Sequence, residues 1–287
     1  MTSSTICSLN KDTCIESEEI IKIAESTSRI NSKSELEGDE RVDELAEELK
    51  CSPDLDKNGK QLCIMEKLDK KEEIVKYFKP KTASFSHNHW LNNTEIDTVQ
   101  YQFMSNYKGY YYSNIHMIDF GMFHPSTHED IDYKPFFLKD IDFVKELKEG
   151  CRLTSNGPLK NYGVVVNTDV STGTGIHWFS IFFNFDTEPY SLEYFNSSGY
   201  DMKNKEFKRF LINLADEISL KVKPCKFVKV SDIQHQKSTT SNCGVYALYY
   251  IWKRLGGTSI DFFRQNKIDD DHVVLFRKYF FRGKAEM

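Results

Sequence analysis

The stretch Gln234–Gly257, QHQKSTTSNCGVYALYYIWKRLGG, decides how the rest of the chain is read. A polar run ends at Cys243, and an apolar run with helical spacing follows, with Val245, Leu248, Tyr249, Trp252 and Leu255 on one face. Gly256 and Gly257 then stop it. The spacing predicts a helix that begins at Cys243. A thiol there lies where the helix dipole and the free N–H groups favour its anion, so it is expected to titrate below the ~8.5 of a free cysteine. A cysteine beside a helix is also a small core hydrophobe, and the position alone leaves both roles open.

Upstream, four runs read as strands: YGVVVN at 162–167, HWFSIFFNF at 177–185, YSLEYF at 190–195 and KFVKVSDI at 226–233. Between the last two, NKEFKRFLINLADEISLKV (204–222) has helical spacing, with Phe207, Phe210, Leu211, Leu214 and Ile218 aligned. Interleaved strands and helices predict an α+β core over residues 84–287. Residues 1–83 carry few aromatics and read as a helical arm: EEIIKIAEST (18–27) and VDELAEELK (42–50) have helical patterning. CSPDLDKNGK (51–60) reads as the loop after them, and FKPKTAS (78–84) as a linker to the core.

Composition narrows the function classes. The chain has 287 residues, 39% hydrophobic and 14% aromatic, enough for a substantial core. A formal charge of -5 gives no global pull toward nucleic acid or anionic lipid. No apolar run approaches the ~20 residues of a membrane span, and the first residues show neither the basic start nor the apolar core of a signal peptide. Seven scattered cysteines suit a reducing, intracellular setting. Cys7, Cys14, Cys51 and Cys63 fit no compact zinc spacing and are expected to be free thiols. HNH at 87–89 lacks the surrounding ligands of a metal or nuclease site. No metal or cofactor is expected.

A cysteine nucleophile needs a base, a group to orient that base, and donors for the oxyanion. His177 stands where a Gly/Thr/Ser loop meets a strand. Asn196 ends the next strand and comes beside His177 if the two strands pair. Glu193 is a rival orienting group, but three positions away it should face the other side of its strand. Gln236, seven residues before Cys243, is a candidate oxyanion donor, with Gln234 as its competitor. No one of these residues is specific alone; the order His, Asn, Gln, Cys is.

HWLNN at 89–93, HWFSIFF at 177–183, SLEYFNSSG at 191–199 and NCGVYALYY at 242–250 resemble the adenain and ubiquitin-like-protein protease superfamily of cysteine peptidases. Within it, NTDVSTGTGIHW followed by EYFNSSG most resembles the polyprotein-processing branch of African swine fever virus and its relatives. The resemblance covers about residues 84–282. It implies a papain-like α+β core behind an N-terminal helical arm, with Cys243 as nucleophile, His177 as base, Asn196 as orienting group and Gln236 as oxyanion donor. It implies that Trp90 and Trp178 flank a narrow channel for a Gly-Gly segment. The partners it implies are viral structural polyprotein precursors with Gly-Gly-Xaa sites, met in the host cytoplasm and the virion. Asn93 stands where cellular members have the Asp that grips a ubiquitin-like protein, which speaks against such a substrate. The Gln-to-Cys spacing of seven follows the adenain-like members. Two other functions share the motifs: a SUMO or ubiquitin-like-protein isopeptidase, and an inactive module that binds Gly-Gly tails.

Overall fold

The computed structural model describes residues 15–27, 30, 34–55, 57–70, 74, 82, 84–119, 138, 141–150 and 157–281. They fall into two units, residues 1–84 with 278–287 and residues 85–277. The boundary follows Ser84, at the end of the expected linker. Residues from Lys278 onward group with the first unit, whereas the sequence reading keeps them in the core.

In the larger unit, β1 (Tyr110–Met117), β2 (Asn161–Asn167), β3 (Trp178–Asn184), β4 (Tyr190–Phe195) and β5 (Cys225–Lys229) form one sheet in that order. The inner pairs β2–β3 and β3–β4 are antiparallel, and the outer pairs β1–β2 and β4–β5 are parallel. Every residue of β3 and β4 is buried. A strand covered on both faces reads as an unbroken apolar run, as WFSIFFN does.

One face of the sheet packs against α6 (Lys205–Lys221), whose Phe207, Leu211, Ala215 and Ile218 meet Phe179, Ile181, Leu192 and Tyr194. The other face receives α7 (Cys243–Leu255): Phe195 stacks on Tyr250 with centroids 4.4 Å apart. Phe263 of α8 (Ile260–Gln265) meets Tyr250 edge-on at 4.8 Å. The remaining helices of this unit are α4 (Asn93–Asn106), α5 (Phe143–Glu149) and α9 (Asp270–Phe280). Asn92 and Glu95 form a capping box at the start of α4, each side chain bonding the other's backbone N–H at 2.9 Å. The α+β core is therefore a mixed five-stranded sheet flanked by helices. No helix among the described residues is long and apolar enough to cross a membrane.

The smaller unit contains α1 (Ser17–Glu25), α2 (Gly38–Glu48) and α3 (Lys57–Lys67). Ile20, Val42, Leu45, Ile64 and Met65 give it a core of its own. The expected loop over 51–60 is shorter than read, because α3 begins at Lys57. The expectation of free thiols is corrected at two positions: Cys51 and Cys63 are joined in a disulfide. The packing of α2 with α3 brings their Cα atoms to 6.0 Å, within disulfide range. Cys7 and Cys14 lie outside the described residues.

Candidate active site

The site is built where three elements end together. His177 immediately precedes β3, and its loop is fixed by polar side chains: Asn167 Oδ1 accepts from Ile176 N and Asp169 N, both at 3.0 Å, while Asp169 Oδ2 accepts from Gly175 N at 2.9 Å. Gly175 has φ +92°, a conformation that suits glycine. The β3–β4 register pairs Ser180 with Phe195; continued outward it sets His177 opposite Ser198, with Asn196 its diagonal neighbour on the same face.

Asn196 then orients the histidine. Its Oδ1 lies 2.8 Å from His177 Nε2 and also accepts the Ser198 backbone N–H at 2.9 Å. A backbone N–H can only donate, so that contact identifies the Asn196 atom as oxygen, and His177 must carry its proton on Nε2. The neutral ring therefore keeps a lone pair on Nδ1. Asn196 Nδ2 donates to the Tyr194 hydroxyl at 2.9 Å, which holds the amide in place. The Ser198 hydroxyl lies 3.1 Å from His177 Nε2. Tyr194 and Ser198 were not among the sequence candidates; their signal was the two-residue spacing on either side of Asn196.

Glu193 is removed as a rival. It is fully buried on the α7 side of the sheet, where its carboxylate accepts from Arg254 at 2.7 and 2.8 Å and from the Tyr250 hydroxyl.

Cys243 is the first residue of α7 and is 2% exposed. Asn242, the N-cap residue, makes no side-chain cap bond, so the first N–H groups of the helix stay open. The backbone N–H groups of Trp178, Gly244 and Cys243 itself act on the sulfur in favour of its anion. Burial nevertheless dominates and pushes the thiol above its ordinary range, against those N–H groups and the charge of Arg277. This corrects the expected low value: a helix start alone does not outweigh loss of water. Burial likewise holds His177 below 6.5, opposed by its bond to Asn196 and reinforced by Lys203. Both shifts favour a neutral thiol beside a neutral imidazole at rest.

Gln236 is anchored at both ends of its amide: Oε1 accepts from Ser197 Oγ at 2.9 Å, and Nε2 donates to Thr240 O at 2.7 Å. The second Nε2 hydrogen remains. Ser197, another residue the sequence did not single out, thus sets the amide's direction. Gln234 is exposed. Gly199 makes the junction possible. With φ +74°, it lets the Asn196–Gly199 turn approach residues 232–234 so closely that a Cβ would meet Asp232 O at 2.7 Å.

Cys243, His177, Asn196, Gln236 and Trp90 line one cleft of about 360 Å³. Trp90 is 42% exposed there. Trp178 departs from the expected pair of channel walls: it is 3% exposed, its indole N–H donates to Leu91 O at 3.1 Å, and its ring packs on Gly244. It supports the start of α7. Asn93 is exposed in the first turn of α4, on outer surface. His87 and His89 pair with Asn242 and Glu95.

No family model matches the chain. It is similar to the SUMO-1 cysteine protease of African swine fever virus (isolate Pig/Kenya/KEN-50/1950), with 30% identity over 194 residues, 67% of each chain. The corresponding cysteine protease of the Badajoz 1971 Vero-adapted strain matches to the same extent. The crystal structure of the African swine fever virus pS273R protease has the same fold, with a TM-score of 0.68 and 24% identity, covering 98% of this chain and 97% of that one. With that fold and that sequence identity, the chain belongs to the family of the African swine fever virus cysteine protease and is a cysteine endopeptidase.

Proposed function

We propose that this protease cleaves structural polyprotein precursors after Gly-Gly during virion maturation, through Cys243, His177, Asn196 and Gln236. The observation that carries the reading is the bond between His177 Nε2 and Asn196 Oδ1, which leaves Nδ1 as the base in a cleft shared with Cys243. As a substrate carbonyl enters and displaces water, Nδ1 takes the thiol proton and the sulfur attacks the carbonyl carbon. The developing oxyanion is met by the Cys243 backbone N–H and the free Nε2 hydrogen of Gln236. The imidazolium then protonates the leaving amine, and water, deprotonated by the same nitrogen, hydrolyses the thioester. Asn196 orients the ring throughout and adds no charge.

Trp90, half exposed at the cleft, is the wall against which a bare Gly-Gly backbone would pass and a Cβ would clash. The name of the viral relatives, SUMO-1 cysteine protease, keeps a SUMO-like substrate as the second reading; Asn93 in place of the gripping Asp favours the polyprotein. The test is a peptide set differing only in the two residues before the scissile bond. Gly-Gly should exceed Ala-Ala in kcat/KM by at least tenfold. Comparable values would refute the channel, and efficient turnover of a SUMO precursor would refute the polyprotein assignment.

A further inference from the structure

Arg277, near the end of α9, is fully buried and takes no part in the steps above. Its Nη2 donates to His89 O at 2.6 Å, to Asn242 Oδ1 at 2.9 Å and to Ser241 O at 3.3 Å; its Nε donates to Asn242 Oδ1 at 3.2 Å. These acceptors flank the site. Ser241 and Asn242 lead directly into Cys243, and His89 leads into Trp90. Nη1 has no partner among the described residues. Asn242 is held from its other side too, donating to Asp270 Oδ1 at 2.7 Å. Its side chain is thereby drawn away from capping α7, and the N–H groups at the helix start remain for the sulfur.

A fully buried cation with an unpaired nitrogen is costly to fold. Its charge acts on Cys243 and on Glu95. When the thiol proton passes to His177, the imidazolium is the one cation that the proposed catalytic residues supply to the thiolate. Arg277 places a second, permanent one behind the Ser241–Asn242 turn. We propose that Arg277 is a positioning residue for the nucleophile: it locks the Ser241–Asn242 turn that leads into Cys243 and keeps the Asn242 side chain from capping the start of α7. The proposal rests on Cys243 being the nucleophile.

The other charged and titratable groups near this pair come from the cleft, from α4 and the segment before it, and from α9. His177 and Lys203 face it from the cleft. Asp201 and Lys237 line the same cleft. His89 precedes α4 and Glu95 lies in its first turn, His87 and Asp270 meet Asn242, and Asp271 meets His87.

The experiment measures the pH dependence of iodoacetamide alkylation at Cys243, read on its own peptide by mass spectrometry, with thermal melts alongside. Arg277→Gln keeps donors and loses the charge, so the apparent pKa of Cys243 should rise by about one unit. kcat/KM on a Gly-Gly peptide should fall about tenfold at neutral pH, mainly in kcat. Arg277→Lys keeps the charge and should hold the wild-type alkylation profile while melting lower. Glu95→Gln, near-isosteric, removes the carboxylate that competes for the Arg277 charge and should move the profile the other way. An unmoved profile in folded Arg277→Gln, or equal shifts in the Gln and Lys variants, would overturn the proposal. If neither Arg277 variant folds, Glu95→Gln decides: a shift to lower pH supports the role and no shift overturns it. Alkylation does not require peptide turnover, so failure of the Gly-Gly reading would leave this test intact.

Discussion

Replacing Asn196 by Asp keeps the shape of the orienting group and adds the charge the site lacks. Oδ1 would retain its contacts with His177 Nε2 and with Ser198 N, now 2.8 and 2.9 Å. The atom in place of Nδ2 turns from donor to acceptor, and the Tyr194 hydroxyl, which now donates to Tyr200 O at 3.3 Å, can rotate to meet it. No buried atom is stranded, so the fold should survive. A carboxylate at this distance raises a histidine by roughly 1–3 pKa units, about 1.4–4 kcal/mol in favour of the imidazolium. His177 starts below 6.5 because it is buried. It must be neutral to accept the thiol proton, so raising its pKa removes active base at the acid end. The acid limb of kcat/KM should therefore move to higher pH by about 1–2 units. Alkylation of Cys243 should gain an acid shoulder as the thiolate–imidazolium pair becomes favoured. Both profiles can be recorded from pH 4 to 10, with circular dichroism at each end. An unmoved acid limb in a folded variant would mean that the contact with Asn196 does not govern the base.

Gln236→Ala removes a proposed oxyanion donor and should lower kcat by roughly 10²–10³; Gln234→Ala, at an exposed position, should stay within a few-fold, and equal losses would move the donor elsewhere. Gly199→Ala imposes φ +74° on a residue with a Cβ and a 2.7 Å approach to Asp232 O. It should destabilise the protein by about 2–4 kcal/mol and lower kcat, because Asn196 and Gln236 flank that junction; a wild-type melt would contradict it. His235 is buried, accepts the Ile268 N–H on Nδ1 at 3.1 Å, and is held by burial at about 4, below the ordinary 6.5. The unfolded chain takes a proton there that the folded chain refuses. Its contribution to stability is therefore present above pH ~6.5 and lost as the pH falls toward ~4. In His235→Gln, Tm should fall less steeply across that window.

Much of the fold was legible because four of its five strands and two long helices carry clear sequence patterns, whereas β1 (Tyr110–Met117) was not read. YSLEYF is β4 end to end, and Glu193 faces away from Asn196 as strand alternation requires. α4 was not legible: Glu95, Gln100 and Gln102 are buried in it, which dilutes the apolar spacing a helix is read by. The His–Asn–Gln–Cys order was visible from residue types and element ends, but what holds those residues was not. The bonds from Arg277 to His89 and Asn242, and from Ser197 to Gln236, join positions 188, 35 and 39 residues apart. The direction of the Cys243 shift was misread for a similar reason, since sequence shows a helix start but not the depth at which the packed sheet buries it. Trp178 follows the histidine as a channel wall would, yet the close approach of Leu91 and Gly244 turns it inward.

The most direct test of Cys243 as the nucleophile of a Gly-Gly endopeptidase is labelling by a peptide that ends in Gly-Gly with a thiol-reactive group in place of the scissile bond. Intact-mass and fragment analysis should find one adduct per chain, on Cys243. It should be absent from Cys243→Ser, strongly slowed in His177→Ala, and weak when the probe ends in Ala-Ala. An adduct on Cys225 or another cysteine, or labelling that persists in Cys243→Ser, would contradict it.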